Sequence, residues 1–456
     1  MRILGISEGF HDAGATLIDG PEIIKATHAE RFSRKKNDRW LHPSQMSEAD
    51  WTVFYEKPWL KRTRQLYAGQ GWKQKRTEHD KSFYHHQSHA AAGFYTSKFD
   101  ECNILVVDSI GEWDTVSIWK AWMKDDIPKM KKIKSWKYPF SVGLFYSAAT
   151  HYIGLKPNED EYITMGMAAY GEPIYVDKLK DIMYNHNNHK GFPDISYGTK
   201  GALLVQKEDI AASAQKVIED KVLDYIKIYC KHDNLVFMGG VALNCVLNSK
   251  IANLGKNIWI MPNPGDCGSS LGAAALAYGK KLNWKDAYLG TEIRSEINPK
   301  DVVHYLLNNS VCGIAHGCAE FGPRALGNRS LLADPRLDIK DTVNDIKKRQ
   351  RFRPFAPAIL EEEAHKYFTG PMNEYMQFVA KADHDYKSVT HVDGTARVQL
   401  VPKHSRSIIR PILEEWYDKT GVPMLLNTSL NIKGQPMVDT QKDALEFEKK
   451  YSVKVF

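Results

Sequence analysis

Two well-separated segments of the chain repeat one pattern of apolar and polar positions. Ile3–Ile18 and Ile104–Trp119 each begin with a short apolar run, continue through a turn that contains glycine and acidic residues, and end in a second β-prone run. This pattern predicts a β-hairpin whose turn presents polar groups to a ligand. Because the hairpin occurs twice in the same order, the pattern favours a duplicated architecture.

Two later segments predict a strand, a glycine-rich turn and a helix. Leu235–Met238 leads into Gly239 and Gly240, and Ile258–Met261 leads into the turn 262–270. Glycine at a strand end lets a ligand approach the backbone, and the helix start offers unpaired N–H groups to an anion. Tight strand–helix packing would explain the same glycines. The pattern is similar to the actin-like ATPase superfamily, in which paired domains enclose a nucleotide cleft, so we expect an α/β fold with a duplicated actin-like domain.

The periodicity weakens between Tyr278 and Pro299, where no regular apolar spacing is visible. We place a boundary there, which predicts a first domain over residues 1–290 and a second over 300–456. A chain of 456 residues, at roughly 150 residues per domain, is long enough for three domains or two large ones.

The amino-acid composition excludes several classes of protein but does not identify a function. With 43% hydrophobic and 26% charged residues, the chain is typical of globular proteins, which excludes a disordered, collagen-like or coiled-coil protein. A net charge of +7 favours anionic ligands such as phosphates but does not establish nucleic-acid binding. The six cysteines show no CxxC spacing, which argues against a zinc ribbon and a disulfide framework.

No segment has the pattern of a signal peptide or a membrane span. His11 and Asp12 come too early for the apolar centre of a signal peptide. The longest stretch without Lys, Arg, Asp or Glu, residues 138–155, contains Pro139 and His151, which a membrane span disfavours. We therefore expect a cytoplasmic protein with no membrane partner.

Four side chains form a candidate metal site. His85 and His89 are four residues apart, so on a helix both imidazoles share one face and can reach one ion. Asp108 ends an apolar strand and Asp266 precedes a helix. Two imidazoles and two carboxylates suit a borderline divalent ion such as Fe(II), Zn(II) or Mn(II). His86 faces away from the pair and is expected to be structural.

Two further segments near the start of the chain carry alternative interpretations. His11 lies in the turn of the first hairpin and could accept a proton from an attacking hydroxyl, or could be a turn histidine bonded to the backbone. The basic stretch Glu30–Asp38 is either an anion-binding loop or a solvated charged face.

The second domain is rich in arginine beside proline. The segments Glu320–Ser330, Asp334–Arg336 and Lys347–Pro357 combine guanidinium groups with residues that fix the backbone, which suits bidentate binding of phosphate or carboxylate. Asn427–Ser429 follows an apolar run and offers short polar side chains for phosphate or sugar. Surface charge is the alternative explanation of the arginines.

Taken together, these blocks resemble the O-carbamoyltransferase family of the NodU/CmcH type, from HDAGATLI near the start to LLNTSLNIKGQPMV near the end. The resemblance implies transfer of a carbamoyl group from carbamoyl phosphate to a hydroxyl with the use of ATP. The first domain resembles the tRNA threonylcarbamoyl-transfer protein, and the second resembles a YrdC-like adenylating domain of α+β class.

For the second domain, the resemblance implies formation of carbamoyl adenylate from ATP, with its Mg²⁺, and carbamoyl phosphate. Lys347 and Arg349 match the Lys-x-Arg motif of the family, and Asn427 and Ser429 match its Asn-x-Ser motif. These four residues are implied to bind the nucleotide. The residues implied to contact carbamoyl phosphate are Arg353 and Arg397.

For the first domain, the resemblance implies that the metal set His85, His89, Asp108 and Asp266 receives the adenylate. Fe(II) is the expected ion, with Zn or Mn as alternatives. His11 would accept the proton of the acceptor and Lys36 would neutralise the phosphate. The residues implied to line the adenosine pocket are Gly239, Gly240 and Asn244.

The acceptor is left open between two chemical classes. Members of the family act on sugars, antibiotic-like hydroxyls or hydroxymethylated pyrimidines. Two segments interleave basic with aromatic residues, as a DNA or nucleotide acceptor would need: Lys57, Lys61, Arg62, Arg64, Lys73, Lys75, Arg76 and Lys81 with Trp59, Tyr67 and Trp72, and Lys124, Lys129, Lys131, Lys132 and Lys134 with Trp122 and Trp136. A solvated rim with ordinary surface tryptophans is the alternative. A non-catalytic nucleotide-binding regulator and tRNA threonylcarbamoylation are the other function classes considered.

Overall fold

A computed structural model of the chain describes residues 1–70, 77–185 and 206–456. The chain forms two compact units. The first contains Met1–Ile23 and Met46–Trp284, and the second contains Ile24–Gln45 and Lys285–Phe456. The segment Ile24–Gln45 therefore belongs with the C-terminal part of the chain, whereas the linear domain prediction placed it in the first domain.

Strands and helices alternate along most of the described chain. The strands are β1 (Arg2–Ser7), β2 (Gly14–Asp19), β3 (Glu22–His28), β4 (Trp51–Phe54), β5 (Lys81–Ser82), β6 (Glu101–Val107), β7 (Asp114–Lys124), β8 (Ile127–Lys137), β9 (Asn234–Met238), β10 (Asn257–Trp259), β11 (Tyr288–Ile293), β12 (Val311–Ala315), β13 (Gly317–Glu320), β14 (Arg329–Ala333), β15 (Ala356–Leu360), β16 (Phe368–Thr369), β17 (Ala380–Ala382), β18 (Thr395–Ala396), β19 (Gln399–Val401) and β20 (Met424–Ser429). The helices are α1 (Ala29–Ser33), α2 (Pro58–Tyr67), α3 (His85–Thr96), α4 (Val142–Tyr152), α5 (Glu161–Met167), α6 (Val176–Asn185), α7 (Lys207–Tyr229), α8 (Cys245–Ala252), α9 (Ser269–Tyr278), α10 (Pro299–Asn309), α11 (Lys340–Ile346), α12 (Ile409–Thr420) and α13 (Gln441–Tyr451).

Two five-stranded sheets share one topology. Their strand orders are β3-β2-β1-β4-β5 and, read from the matching edge, β8-β7-β6-β9-β10. In each sheet the first hairpin is antiparallel, with Leu4 opposite Leu17 in one and Leu105 opposite Ile118 in the other. The central strands β1 and β6 then pair in parallel with β4 and β9. The predicted duplicated α/β architecture is confirmed.

Strand β6 is buried on both faces, which explains its unbroken apolar sequence. Ile104, Leu105, Val106 and Val107 have no exposed surface. Strands covered by helices on both faces read as continuous apolar runs rather than alternating ones. The first polar residue after this run is Asp108, so the strand end places a carboxylate at the edge of the core.

Helices α3 and α9 pack closely because both are built from small residues. Helix α3 carries the run Ala90–Gly93, and α9 carries Gly272 followed by three alanines. A Cβ atom on Gly272 would lie 1.8 Å from the backbone oxygen of Ser88. Since α3 begins with His85 and α9 follows the 3-10 turn that begins with Asp266, this approach brings together the chain segments that carry the predicted metal ligands.

The second unit is built on a mixed sheet with the order β12-β14-β20-β15-β19. Trp416 of α12 is fully buried in its core. Glu320 folds the arginine-bearing loop beside the sheet, because its Oε1 accepts the backbone N–H of Leu326, Asn328 and Arg329 at 2.8, 2.9 and 3.2 Å. The unit is of α+β class, as predicted.

The longest helix of the described residues, α7, carries acidic residues in its first turn and Lys227 in its last. Across the described part of the chain, no helix combines the length and the apolar composition that crossing a bilayer requires.

Replacing Gly272 should test the α3–α9 contact. We expect Gly272→Ala to destabilise the first unit by about 1–3 kcal/mol, because the added methyl group overlaps the backbone of α3 and forces the helices apart. Urea unfolding followed by circular dichroism measures the change.

Gly166→Ala is the matched control on helix α5. A Cβ atom at Gly166 meets no heavy atom within 4 Å, so the substitution should be neutral or stabilise by up to about 1 kcal/mol. Equal unfolding midpoints for the two variants would contradict the packing argument.

Candidate metal centre

The structure brings the four predicted metal ligands into one buried cluster. His85 and His89 lie one turn apart on α3, Asp108 follows β6, and Asp266 begins the short 3-10 turn before α9. One donor atom from each side chain lies within 4.8 Å of the others. The cluster lies within the first unit.

The spacing of the donor atoms fits a single first-row metal ion. His85 Nε2 lies 3.0 Å from Asp108 Oδ2, 3.1 Å from His89 Nε2 and 3.4 Å from Asp266 Oδ1. His89 Nε2 lies 3.3 Å from Asp266 Oδ1 and 3.7 Å from Asp108 Oδ2. An ion bound at about 2.1 Å keeps neighbouring donor atoms roughly 3.0–3.4 Å apart. The four groups therefore need little movement to share one ion.

Hydrogen bonds around the cluster fix the orientation of its members. His89 Nδ1 donates to the carbonyl of Pro264 at 3.0 Å, so Nε2 is the nitrogen directed at the cluster. The N–H of Gly240 donates to Asp108 Oδ1 at 3.0 Å. The backbone N–H of His85 donates to Glu112 Oε1 at 2.9 Å, so a carboxylate caps the start of α3.

His86 lies outside the cluster. Its Nδ1 shares a hydrogen bond of 2.8 Å with Ser117 Oγ on β7. The structural role expected from the sequence agrees with this contact.

The charges of the cluster suit a cation. Burial alone would raise the pKa of Asp108, but hydrogen bonds with His85 and His89 hold the pKa of this carboxyl well below its usual range. Asp266 Oδ2 is buried and has no hydrogen-bond partner among the described residues. A buried carboxylate oxygen without a partner is unfavourable unless a metal ion or a donor occupies the space beside it. The residues therefore fit a divalent metal ion.

A second polar cluster surrounds Lys347 in the second unit. Lys347 Nζ donates to the backbone oxygen of Ser429 and to the backbone oxygen of Asn431 at 2.9 Å. Ser429 Oγ in turn donates to Asn431 Oδ1 at 2.6 Å. Asn427 Nδ2 donates to Gln399 Oε1 at 2.7 Å, while its own Oδ1 is buried and has no partner among the described residues.

Lys347 is buried among neutral acceptors. Burial, followed by the nearby Arg349 and Arg353, lowers the pKa of this amine well below its usual range. No carboxylate of the described residues forms an ion pair with this amine, and an anionic ligand would supply the missing counter-charge.

The three arginines predicted to bind nucleotide or carbamoyl phosphate have different surroundings. Arg349 Nε donates to Asn344 Oδ1 at 2.6 Å, and its guanidinium lies over the ring of Phe355. The backbone N–H of Arg353 donates to the oxygen of Gln350 at 3.2 Å. Arg397 Nε is buried and has no hydrogen-bond partner among the described residues.

Two family profiles cover most of the chain. The profile described as Carbamoyltransferase N-terminus matches residues 45–275, and the one described as Carbamoyltransferase C-terminus matches residues 303–456. Protein sll1178 of Synechocystis sp. is 32% identical, over 97% of this chain and 93% of its own length. The nodulation protein NolNO of Sinorhizobium fredii is 30% identical, over 95% of this chain and 76% of its own length.

The chain belongs to the carbamoyltransferase family. Among solved structures, it is similar to component A of (R)-2-hydroxyglutaryl-CoA dehydratase from Acidaminococcus fermentans, with a TM-score of 0.36 and 15% identity over 61% of this chain and 98% of that one. Full-length HypF in its phosphate- and nucleotide-bound form has a TM-score of 0.33 and 14% identity, over 61% of this chain and 55% of that one. The resemblance stated from the sequence is confirmed.

Two predicted nucleotide-binding residues of the carbamoyltransferase also have structural roles. Gly239 has φ +93°, and a Cβ atom there would lie 2.2 Å from the oxygen of Val107. Asn244 caps α8 by accepting the N–H of Leu247 at 3.0 Å, and its Nδ2 donates to Gln215 at 2.8 Å. These contacts account for the residue types, so nucleotide binding by Gly239, Gly240 and Asn244 stays a prediction.

His11 and Lys36 fall in different units of the carbamoyltransferase. His11 is half-buried in the turn between β1 and β2, with its ring 4.6 Å from that of Phe10. Lys36 lies in the second unit, where its Nζ donates to both carboxylate oxygens of Glu30 at 2.9 Å. The catalytic roles of both residues stay predictions.

The two basic segments do not form uniform surfaces. Trp72, Lys73, Lys75 and Arg76 lie outside the described residues. Lys61 and Arg64, which were counted with the surface cations, are buried instead: Lys61 Nζ donates to Glu56 Oε1 at 2.6 Å and Arg64 Nε donates to the oxygen of Glu112 at 3.3 Å.

The two tryptophans predicted with the second basic segment are half-buried. The ring of Trp136 lies 4.3 Å from that of Tyr225, and Trp122 on β7 is half-buried. The lysines Lys129, Lys131 and Lys134 on the edge strand β8 are exposed. This face can follow phosphates but offers these rings little freedom to stack on bases.

Sequence reasoning missed the residues that hold the metal ligands. Glu56, Lys61 and Glu112 are all buried beside His85. Their sequence neighbourhood is rich in charged residues, so nothing distinguishes a buried ion pair from surface charge there.

Removing one imidazole should remove the metal. We expect the purified carbamoyltransferase to bind about one divalent ion per chain, and His89→Ala to lose most of it, because two carboxylates and one imidazole remain in a site built for four donors. Metal content after equilibrium dialysis against Fe(II) or Zn(II), read by mass spectrometry, checks this.

His86→Gln is the control, since glutamine can keep a hydrogen bond with Ser117 and removes a histidine adjacent to the ligand His85. Metal content should stay at the wild-type level. Equal loss in both variants would mean that the cluster is not the site.

Proposed function

We propose that the chain is an ATP-dependent O-carbamoyltransferase that works through carbamoyl adenylate. In the first reaction, ATP, carbamoyl phosphate and water give carbamoyl adenylate, pyrophosphate and phosphate. In the second, the hydroxyl of an acceptor displaces AMP from the carbamoyl carbon and loses a proton. The convergence of two histidines and two aspartates in a member of the carbamoyltransferase family is the observation that carries this proposal.

The second unit would form the adenylate. Lys347, lacking a local counter-charge, and Arg349 are suited to bind the phosphates of ATP, whose Mg²⁺ would come with the nucleotide. Asn427 has a buried, unpartnered oxygen that can accept from the carbamoyl NH₂ or an adenylate group. Ser429 lies beside Lys347, and Arg353 and Arg397 would contact the phosphate of carbamoyl phosphate.

The first unit would transfer the carbamoyl group. His85, His89, Asp108 and Asp266 would hold a divalent ion, with Fe(II) proposed and Zn(II) or Mn(II) as alternatives. When bound, such an ion supplies Lewis acidity that stabilises negative charge on the reacting carbonyl or phosphate. Gly239, Gly240 and Asn244 would bind the adenosine part of the intermediate.

Two further residues, one in each unit, would have catalytic roles. His11 would accept the hydroxyl proton as the acceptor attacks, a role open to an imidazole whose ring is half-buried. Lys36, in the second unit, would neutralise a phosphate. The hydrogen bond to Glu30 fixes the position of the ammonium group, but the carboxylate offsets part of its positive charge.

Substitutions in the two units should separate the two reactions. We expect His89→Ala to abolish carbamoyl transfer and retain carbamoyl adenylate formation, since His89 lies in the first unit. Lys347→Met should reduce adenylate formation by at least about 100-fold, because a buried cation is lost from a phosphate site. Pyrophosphate release and product mass spectrometry measure the two reactions.

His86→Gln is again the control and should retain both reactions. Loss of adenylate formation in His89→Ala, with the fold intact, would overturn the assignment of the two reactions to different units. Absence of pyrophosphate release in the wild type would overturn the adenylate itself, and would favour a nucleotide-binding regulator.

The acceptor we propose is a hydroxyl-bearing molecule, with a sugar or other small-molecule hydroxyl as one class and the hydroxymethyl group of a modified pyrimidine in DNA or a nucleotide as the other. The exposed lysines of β8 are the observation that favours a polyanion. The packing of Trp136 against Tyr225 favours a small molecule.

Salt dependence should distinguish the two classes. If DNA carrying hydroxymethyl bases is the acceptor, Lys129→Glu with Lys131→Glu should lower the slope of log affinity against log salt by about one unit per lysine. Fluorescence anisotropy over a salt series measures the slope. Lys387→Glu with Lys442→Glu in the second unit is the charge-matched control.

No salt slope in the wild type, together with carbamoylation of a free sugar alcohol, would exclude the polynucleotide acceptor. Incubation with ATP, labelled carbamoyl phosphate and candidate alcohols, read by mass shift, would then identify the acceptor.

A further inference from the structure

A buried ion pair beside the metal centre has no role in the reactions proposed above. Glu56 lies just after β4, and Lys61 lies on α2. Lys61 Nζ donates to Glu56 Oε1 at 2.6 Å, and the two side chains are only 3% and 4% exposed. A buried ion pair often contributes less to stability than apolar residues of the same volume would. Stability alone therefore does not explain why this ion pair lies beside the metal ligands.

The second oxygen of Glu56 faces a metal ligand. Glu56 Oε2 lies 3.8 Å from His85 Nδ1. Nδ1 is buried and has no hydrogen-bond partner among the described residues. The ring of Tyr55 packs against the same imidazole, with centroids 5.1 Å apart, so the imidazole can adjust by small rotations only. A shift of less than 1 Å would close the contact to a hydrogen bond.

The two histidines of the centre thus have different outer partners. His89 Nδ1 donates to a neutral backbone carbonyl, that of Pro264. His85 Nδ1 faces a carboxylate whose other oxygen is held by Lys61. A carboxylate behind an imidazole fixes the tautomer, orients the ring and increases the basicity of the opposite nitrogen.

We propose that Glu56 is a positioning residue of the metal centre, whose carboxylate, held by Lys61, directs Nε2 of His85 toward Asp108 and Asp266. This inference rests on the proposed metal role of the four-residue cluster. Glu56 does not touch the ion. It acts through His85, and Lys61 keeps it charged and in place without competing for the imidazole.

An alternative explanation is that the pair only links α2 to the end of β4. In that case its loss would lower stability and leave metal binding unchanged. Metal affinity and metal spectroscopy separate the two explanations, because a purely structural pair would move neither in a folded variant.

The first test is Glu56→Gln, which keeps the shape and an acceptor oxygen but removes the charge. We expect Zn(II) or Co(II) affinity, measured by chelator competition, to fall by about 10–100-fold. The absorption bands of bound Co(II) should also shift, since the His85 ligand becomes a weaker donor. Thermal unfolding of the metal-free proteins reports whether the variant is folded.

Glu219→Gln is the matched control. Glu219 is also a buried carboxylate of the first unit paired with a lysine, Lys250, and its side chain is 3% exposed. This variant should lose stability without changing metal affinity. Metal affinity and Co(II) bands of Glu56→Gln equal to those of Glu219→Gln would overturn the proposal.

A second measurement uses the wild-type protein and therefore does not depend on whether a variant folds. In Zn(II)-loaded wild-type protein, the proton on His85 Nδ1 should give a nuclear magnetic resonance signal further downfield than that on His89 Nδ1, because a carboxylate is the stronger acceptor. Absence of that difference would also overturn the proposal. If the wild type itself binds no metal, it is the four-ligand site that fails, and the role of Glu56 fails with it.

Discussion

The burial of two carboxylates against two imidazoles is the constraint on which the first unit depends. Charged groups removed from water are unfavourable unless they are paired or bind a metal. Here Asp108 and Asp266 face Nε2 of both histidines at 3.0–3.7 Å, and one Asp266 oxygen has no hydrogen-bond partner in the described part of the chain. The cluster is therefore incomplete as a set of protein groups alone, and a divalent cation is the group whose charge and size complete it.

The fold meets this constraint through small residues and strand ends. The duplicated sheets place the end of β6 at the edge of the core, where Asp108 follows the last apolar residue. The alanines and glycines of α3 and α9 allow the helices to approach until a Cβ atom on Gly272 would overlap Ser88. Positive φ at Gly239 lets the next residue, Gly240, donate its N–H to Asp108. The close packing of the helices therefore also sets the positions of the four predicted metal ligands.

Local patterns were sufficient to predict the parts of the site that short-range geometry determines. The four-residue spacing of His85 and His89 implies one helix face, and an apolar run that ends in Asp108 implies a strand end. The pairing of Glu56 with Lys61 could not be predicted in this way, because Lys61 reads as one more cation in a basic segment. The place of Ile24–Gln45 in the second unit also depends on contacts between residues distant in sequence. Hydrophobic periodicity gives no information about such contacts.

The two units carry opposite electrostatic characters, as the two proposed reactions require. A metal centre needs buried carboxylates and imidazoles, and the first unit supplies both. A site for ATP and carbamoyl phosphate needs cations, and the second unit supplies Lys347, which is buried among neutral acceptors close to two arginines. If both sets shared one cavity, the lysine would bind the aspartates and neither ligand would be held. Dividing the groups between two units keeps each set available, because a cation and a carboxylate that meet in a buried site neutralise each other.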